Sequence, residues 1–376
     1  MKPLSNPFVI SGYEGEHYFC DRAVETNRLA SEIANGNNVA LIATRRMGKS
    51  GLIQHYFSSE QIQEQYYTFF IDIYDTQSLR EFIIRLGREI LMRLKPYGKR
   101  VLEKFWNSVK SLQPGISFSP AGEPSFTIQV GEIRDGFASL DEIFHYLEIA
   151  DRPCIVAVDE FQQINNYPEK NIEATLRTYV QHCHNAKFIF AGSQRHTMSS
   201  MFTSAARPFF QSVSIMHLDS IDMMQYEIFA KSLFEEYQRS LDDGVVEAVY
   251  QYSKGITWYT QKLLNTLFSQ TTVGGITKVQ DVDDALDYII STQAYSYEEV
   301  LFRLPEKQKQ LLVALAKNGP STKLTSGAFI KKYGLPSASM VQSAIKGLLE
   351  KDFVTYEKGV YSVYDIFLSY WIQRVC

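Results

Sequence analysis

Apolar residues fall in two rhythms along this chain. Before about residue 219, short and mostly apolar runs recur at Val39–Ala43, Tyr66–Ile73, Cys154–Val158, Lys187–Ala191 and Val213–Leu218. Runs of this length and character are expected of strands buried on both faces. Between them the spacing turns helical. Val24, Leu29 and Ile33 supply apolar positions between Asp21 and Asn35, where Asn35-Gly36-Asn37-Asn38 brings turn chemistry. Leu79, Phe82, Ile83, Leu86, Ile90 and Leu94 line a second helix. Ser139 with Glu142 reads as a capping box opening a third, with Leu140, Ile143, Phe144 and Leu147 inward. Five such strands with helical connections predict an α/β fold whose parallel sheet is covered on both sides.

Two stretches break this pattern. From Pro114 to Val130 the period drops to two, with Ile116, Phe118, Phe126, Ile128 and Val130 around Pro120-Ala121-Gly122-Glu123-Pro124, a hairpin inserted between core elements. Beyond about Asp219 the pattern is almost wholly helical as far as Phe353. With 376 residues the chain is long enough for two or three separately cored domains. A content of 45% hydrophobic and 21% charged residues is that of a folded protein. The four cysteines lie far apart, without zinc or disulfide spacing. No apolar segment approaches a membrane span of roughly 18 residues, and the N-terminus lacks a signal peptide's apolar stretch. The chain is therefore expected in the cytoplasm, without a membrane partner.

The first candidate chemistry follows the first strand. Ala43-Thr44-Arg45-Arg46-Met47-Gly48-Lys49-Ser50 matches the P-loop pattern except for alanine at the first glycine. The loop Thr44 to Gly48 lies between a strand and a helix starting at about Lys49, the context such a loop requires. Backbone N–H groups around Gly48 would face phosphates, Lys49 would neutralise β and γ oxygens, and Ser50 would ligate magnesium. Alanine at position 43 is expected to restrict a turn that uses positive φ, without removing a ligand. Cys154–Val158 then ends directly in Asp159-Glu160, and parallel sheets place their ligands at such strand ends. Asp159 is expected in the magnesium shell, and Glu160 is expected to orient or deprotonate the attacking water.

Taken with Phe19-Cys20-Asp21-Arg22 and Glu25, Ala191-Gly192-Ser193, and Gly255-Ile256-Thr257-Trp258-Tyr259, these motifs resemble the archaeal-type ATPases of the signal-transduction ATPase group. That group lies within the AAA-like branch of P-loop proteins. The resemblance covers nearly the whole chain and implies a nucleotide-dependent switch. It makes Ser193 the first nucleotide sensor and places Gly255 in the second. It implies that Arg207 reaches a nucleotide, with Arg195 as the alternative. Tyr13 and the backbone near Phe8 to Ile10 are expected to flank the adenine. The chain departs from the family pattern at three positions. Ala43 and Asp21 replace glycines, and Thr257 replaces a proline.

The C-terminal part differs in charge. Residues 301–376 hold eleven Lys or Arg against five Asp or Glu, so a segment of +6 sits on a remainder of −10. Helices at Pro305–Asn318, Thr325–Tyr333 and Ser337–Lys351, then strands Phe353–Tyr356 and Val360–Val363, resemble a winged helix. Its third helix offers Ser337, Ser339, Gln342, Ser343 and Lys346.

The expected architecture is a P-loop NTPase core over residues 1–218, a helical lid over 219–295 and a winged-helix domain over 296–376. The expected function is a molecular switch that binds and hydrolyses ATP with Mg2+. Its partners would be ATP and ADP, DNA or a protein at the winged helix, and a second copy if Arg207 acts across a subunit boundary. The alternative is a nucleotide-gated regulator that binds DNA or protein with negligible turnover. A third reading, a degenerate P-loop scaffold that binds no nucleotide, is favoured by Ala43 and Thr257 and opposed by an intact Lys49, Ser50, Asp159 and Glu160.

Overall fold

The computed structural model describes residues 3–94, 116–118, 124–126 and 136–376. The chain divides into two compact units, Gly12–Asp219 and Met1–Ser11 with Ser220–Cys376. In the first unit the strands are β1 (Val39–Ile42), β2 (Tyr67–Asp72), β3 (Ile116–Phe118), β4 (Pro124–Phe126), β5 (Cys154–Asp159), β6 (Ala186–Gly192) and β7 (Ser214–His217). Five form one sheet in the order β2-β5-β6-β1-β7, every pair parallel. All residues of β1 and β5 are buried, because helices cover both faces. β3 and β4 pair antiparallel, with Ile116 opposite Phe126, as the expected hairpin requires. Ile128, Val130 and the turn Pro120 to Glu123 lie outside the described residues.

The register sets up the site. Asp72 stands opposite Asp159, and Ile42 stands opposite Gly192, so the loops leaving β1, β2, β5 and β6 emerge at one edge. These are the carboxyl ends of the strands, where open α/β sheets bind ligands.

Two helix starts differ from the sequence expectation. The first helix begins at Ala23, since Asp21 and Arg22 both take positive φ, 51° and 71°. Val24 is exposed and faces away from Leu29 and Ile33, because five residues turn a helix through about 140°. The third helix spans Gly136–Glu148, so Ser139 lies inside it and not at its start. The apolar spacing of Phe137, Leu140 and Phe144 already extends upstream of Ser139.

In the second unit, helices Met223–Glu236, Val245–Ser253, Thr257–Gln270 and Val279–Arg303 pack with the N-terminal strap. Phe8 is fully buried against Phe229, Phe234 and Phe268. The Asn265 side chain donates to the Phe8 carbonyl at 2.8 Å and the Trp258 indole to that of Ile10 at 3.1 Å. Helix Val279–Arg303 runs unbroken across residue 295. Helices Glu306–Asn318, Gly327–Lys332 and Ala338–Glu350 follow, then an antiparallel pair Val354–Glu357 and Val360–Val363. Ser321 bridges to Tyr361, giving the wing a third short edge. A closing helix, Ile366–Val375, was not anticipated; its Phe367, Trp371 and Ile372 are buried. Among the described residues no helix is long and apolar enough to cross a membrane.

Candidate nucleotide-binding site

The P-loop leaves β1 as expected, but its first residue behaves differently. Ala43 does not take positive φ, and its N–H donates to the Gly192 carbonyl at 3.3 Å. Alanine there restricts no turn. Positive φ falls instead at Arg46, 67°, and at Gly48, 92°, immediately before helix Lys49–Ser58. Gly48 is where the lack of a Cβ matters, since the chain must reverse in the left-handed region to present N–H groups at the helix start.

Lys49 is 5% exposed. Among the described residues its Nζ has only long contacts, to the carbonyls of Ala43 and Thr44 at 3.4 and 3.5 Å. Burial pushes the ammonium below its usual value, against the pull of Glu160 and Asp159, while Arg45 and Arg195 add to the push. A cation desolvated in this way gains most from an anion brought to it. Asp159 is also 5% exposed, and burial raises its carboxyl above the usual carboxylate range, opposed chiefly by Lys49 and the Ser50 hydroxyl. Ser50 Oγ donates to Asp159 Oδ2, and the Glu160 N–H donates to Oδ1 at 3.0 Å. A hard divalent cation fits this pair of oxygen donors and would favour the ionised form against that push. Among the described residues no cluster of three or more metal-binding side chains occurs. Magnesium held between one or two protein oxygens and substrate phosphates needs none.

Glu160 follows Asp159 in the left-handed region, φ 57°, which turns the chain into a short 3-10 helix, Phe161–Asn166. Ser193, just beyond β6, donates to Glu160 Oε2 at 2.6 Å. The Gln162 carboxamide donates to the same oxygen and lies 3.5 Å from Ser193 Oγ. Gln162 is buried and was not among the sequence candidates. Its only signal was an amide two residues after the acidic pair. Gly192 makes room for it: a Cβ there would collide with the Gln162 carboxamide oxygen and the Met198 sulfur.

A second residue without a sequence assignment is Arg22, 3% exposed. Its guanidinium pairs with Glu25 at 2.6 Å and donates to the P-loop carbonyl of Met47 at 3.2 Å. The left-handed pair Asp21 and Arg22 aims this side chain, which explains why a glycine serves where this chain has Asp21. Arg45 turns its guanidinium over the Tyr74 ring, 4.7 Å from the centroid. Tyr13 bonds to His55 at 2.9 Å and Ser58 at 3.0 Å, both on the P-loop helix.

The two arginine candidates separate. Arg195 is among the charges acting on Lys49 and reaches the Leu218 carbonyl at 3.4 Å and Asp219 at 3.5 Å. Arg207 pairs with Glu173 and donates to Asn165, each at 2.5 Å. In the second unit, Gly255 has φ 67°, and a Cβ there would meet the Tyr250 and Ser220 hydroxyls within 3 Å. Thr257 is the first residue of helix Thr257–Gln270, a position where proline is tolerated because its N–H bonds no carbonyl of its own helix. Threonine in place of proline therefore keeps the helix start.

Residues 295–374 match a family described as a probable winged helix domain. No curated protein matches the chain in sequence. Three solved structures share its fold. A Walker-type ATPase of Pyrococcus abyssi is 16% identical, with a TM-score of 0.63 over 98% of this chain and 99% of that one. The ORC1 protein of Aeropyrum pernix, solved in complex with DNA, is 12% identical, with a TM-score of 0.55 over 95% and 93%. The ORC2 protein of the same organism, solved as ADPNP-ADP complexes, is 13% identical, with a TM-score of 0.55 over 98% and 97%. The fold along the chain is thus that of archaeal P-loop ATPases, ending in a winged helix.

Proposed function

We propose that this chain is a magnesium-dependent switch that binds and hydrolyses ATP and couples its nucleotide state to the winged helix. The observation that carries this reading is the set of Ser50, Asp159, Glu160 and Ser193 bonded in sequence beside the buried ammonium of Lys49. Bound magnesium ATP would supply the phosphoanhydride and the cation that draws charge from it. Lys49 would offer a desolvated positive charge to phosphate oxygens. Ser50 and Asp159 would hold the metal. Glu160 would take the proton of the attacking water, its carboxylate aimed by the Ser193 hydroxyl and the Gln162 amide. The motifs at Phe19 to Glu25 and at Gly255 to Tyr259 support placing the chain with the signal-transduction ATPases.

For the winged helix, duplex DNA is the partner we favour. Ser339, Gln342, Ser343 and Lys346 are all exposed at the spacing of one helix face, and Lys331 and Lys332 are exposed at the end of the preceding helix. That an A. pernix ORC1 protein of similar fold was solved on DNA lends support.

The test is phosphate release together with nucleotide affinity, with and without magnesium. Wild type should turn over, Lys49→Ala should lose nucleotide, and Glu160→Gln should hold it without turnover. One observation favours the alternative of a regulator with negligible turnover: Glu160 Oε2 already accepts two donors, so one of its oxygens is occupied. Tight binding with no release of phosphate would select that reading. Unchanged affinity in a folded Lys49→Ala protein would defeat both.

A further inference from the structure

We propose that the outward face of helix Val279–Arg303 docks a basic amphipathic helix from a partner protein. The inward face of this helix is settled by packing, with Val282, Ala285, Leu286, Ile289, Ile290, Tyr297 and Leu301 buried. On the opposite side, Tyr288, Tyr295 and Phe302 are 56%, 78% and 87% exposed. They recur every seven residues, so they form one stripe with a drift of about 20° per repeat, the drift a left-handed helix pair absorbs. From Tyr288 to Phe302 the stripe rises through fourteen residue steps, roughly 21 Å at about 1.5 Å each. Large aromatic rings repeated on one exposed face lose water at little entropic cost when a partner covers them.

The flanks say what kind of partner fits. Between and beside the rings the same face carries Asp284, Ser291, Thr292, Glu298 and Glu299, all exposed. Arg303 is the single base of the helix and is bonded to Glu299. The stripe is therefore aromatic along its centre and acidic at its edges. A second copy is a poor occupant: antiparallel self-pairing about this stripe sets the Asp284 end of one helix against Glu298 and Glu299 of the other, and like charges there repel. Nucleic acid and anionic membrane are excluded by the same charge. A helix with apolar side chains at heptad spacing and Lys or Arg on its flanks satisfies both features.

The experiment uses the full chain and a fluorescein-labelled synthetic helix of three heptads, with leucine along one face and lysine on both flanks. A matched peptide carrying glutamate in place of lysine is the control, and anisotropy is the readout. The lysine peptide should bind at least tenfold more tightly than the control and weaken as salt rises. Tyr295→Ala with Phe302→Ala, confirmed folded by circular dichroism, should reduce binding tenfold or more. Glu298→Lys with Glu299→Lys should narrow the difference between peptides. Equal binding of both peptides, binding of neither, or binding indifferent to the aromatic substitutions would overturn the proposal. So would a wild-type dimer, seen by light scattering, that Phe302→Ala converts to monomer, since a second copy would then be the occupant.

Discussion

The hydroxyl of Ser193 donates to Oε2 of Glu160 at 2.6 Å, joining the ends of two neighbouring strands, β6 and β5. If this bond aims the base, Ser193→Ala should lower kcat by about tenfold to a hundredfold while ATP affinity stays within about twofold. Gln162→Ala should act in the same direction, because its amide holds the same oxygen. Steady-state phosphate release beside equilibrium nucleotide binding separates the two quantities. A fall in affinity equal to the fall in kcat would mean that these residues shape the pocket and not the base.

Arg22 ties a buried guanidinium to Glu25 and to the Met47 carbonyl of the P-loop. Arg22→Ala removes a charge-assisted pair and leaves a loop carbonyl without this donor, a loss of about 2 kcal/mol in stability. ATP affinity should fall as well, since the loop loses a support remote from the phosphates. Arg22→Lys should recover part of the stability and less of the affinity, because a single ammonium cannot serve both partners in the guanidinium geometry. Denaturant unfolding and nucleotide titration of both variants check this.

Arg207 and Arg195 should differ in kind. Burial holds the Glu173 carboxyl above its ordinary range, and Arg207 opposes that push. Removing Arg207 should raise Glu173 further, so the folded state takes up a proton more readily than the unfolded one. Stability of Arg207→Ala should then be lower than wild type by about 2 kcal/mol near neutral pH, with the gap narrowing as pH falls and Glu173 becomes protonated. Arg195→Ala should instead cut hydrolysis, since Arg195 lies among the charges felt by Lys49. Melting curves against pH and single-turnover hydrolysis distinguish them. If Arg207 also serves a neighbouring copy, activity per chain should rise with protein concentration, and Arg207→Ala should flatten that rise.

Should the winged helix contact DNA, Lys331, Lys332 and Lys346 are exposed charges on its second and third helices that would meet phosphates. Affinity should fall with salt at a log–log slope of about −0.9 per phosphate contact, and alanine at all three positions should flatten it by up to that amount each. Duplex binding that is weak and insensitive to these changes would point to a protein partner for this domain.

Alkylation offers a check that is independent of nucleotide. Burial pushes the thiols of Cys20, Cys154 and Cys183 up to about 12, whereas Cys376 is exposed at the chain end. Native protein at pH 8 should therefore take up one equivalent of iodoacetamide quickly, at Cys376, and three more only after unfolding.

The sequence by itself determined the elements whose evidence is local. Ala43 to Ser50 is one continuous stretch between a strand and a helix, and Asp159-Glu160 follows its strand directly, so period and adjacency reveal both. The winged helix is legible for the same reason, whereas the structure makes Ser337 the cap of its third helix and leaves Ser339, Gln342, Ser343 and Lys346 as the exposed face. What lies far apart in the chain was decided by tertiary structure. Only the sheet order β2-β5-β6-β1-β7 brings Ser193 to Glu160, and only packing shows Gln162 against Gly192. The reach of Arg22 to Met47 depends on two consecutive left-handed residues that no hydrophobic period encodes. Likewise the seven-residue recurrence of Tyr288, Tyr295 and Phe302 is visible in the sequence, yet a period reports only that residues share a face. Whether that face is covered depends on what packs against it, and here the neighbouring helices take the other side.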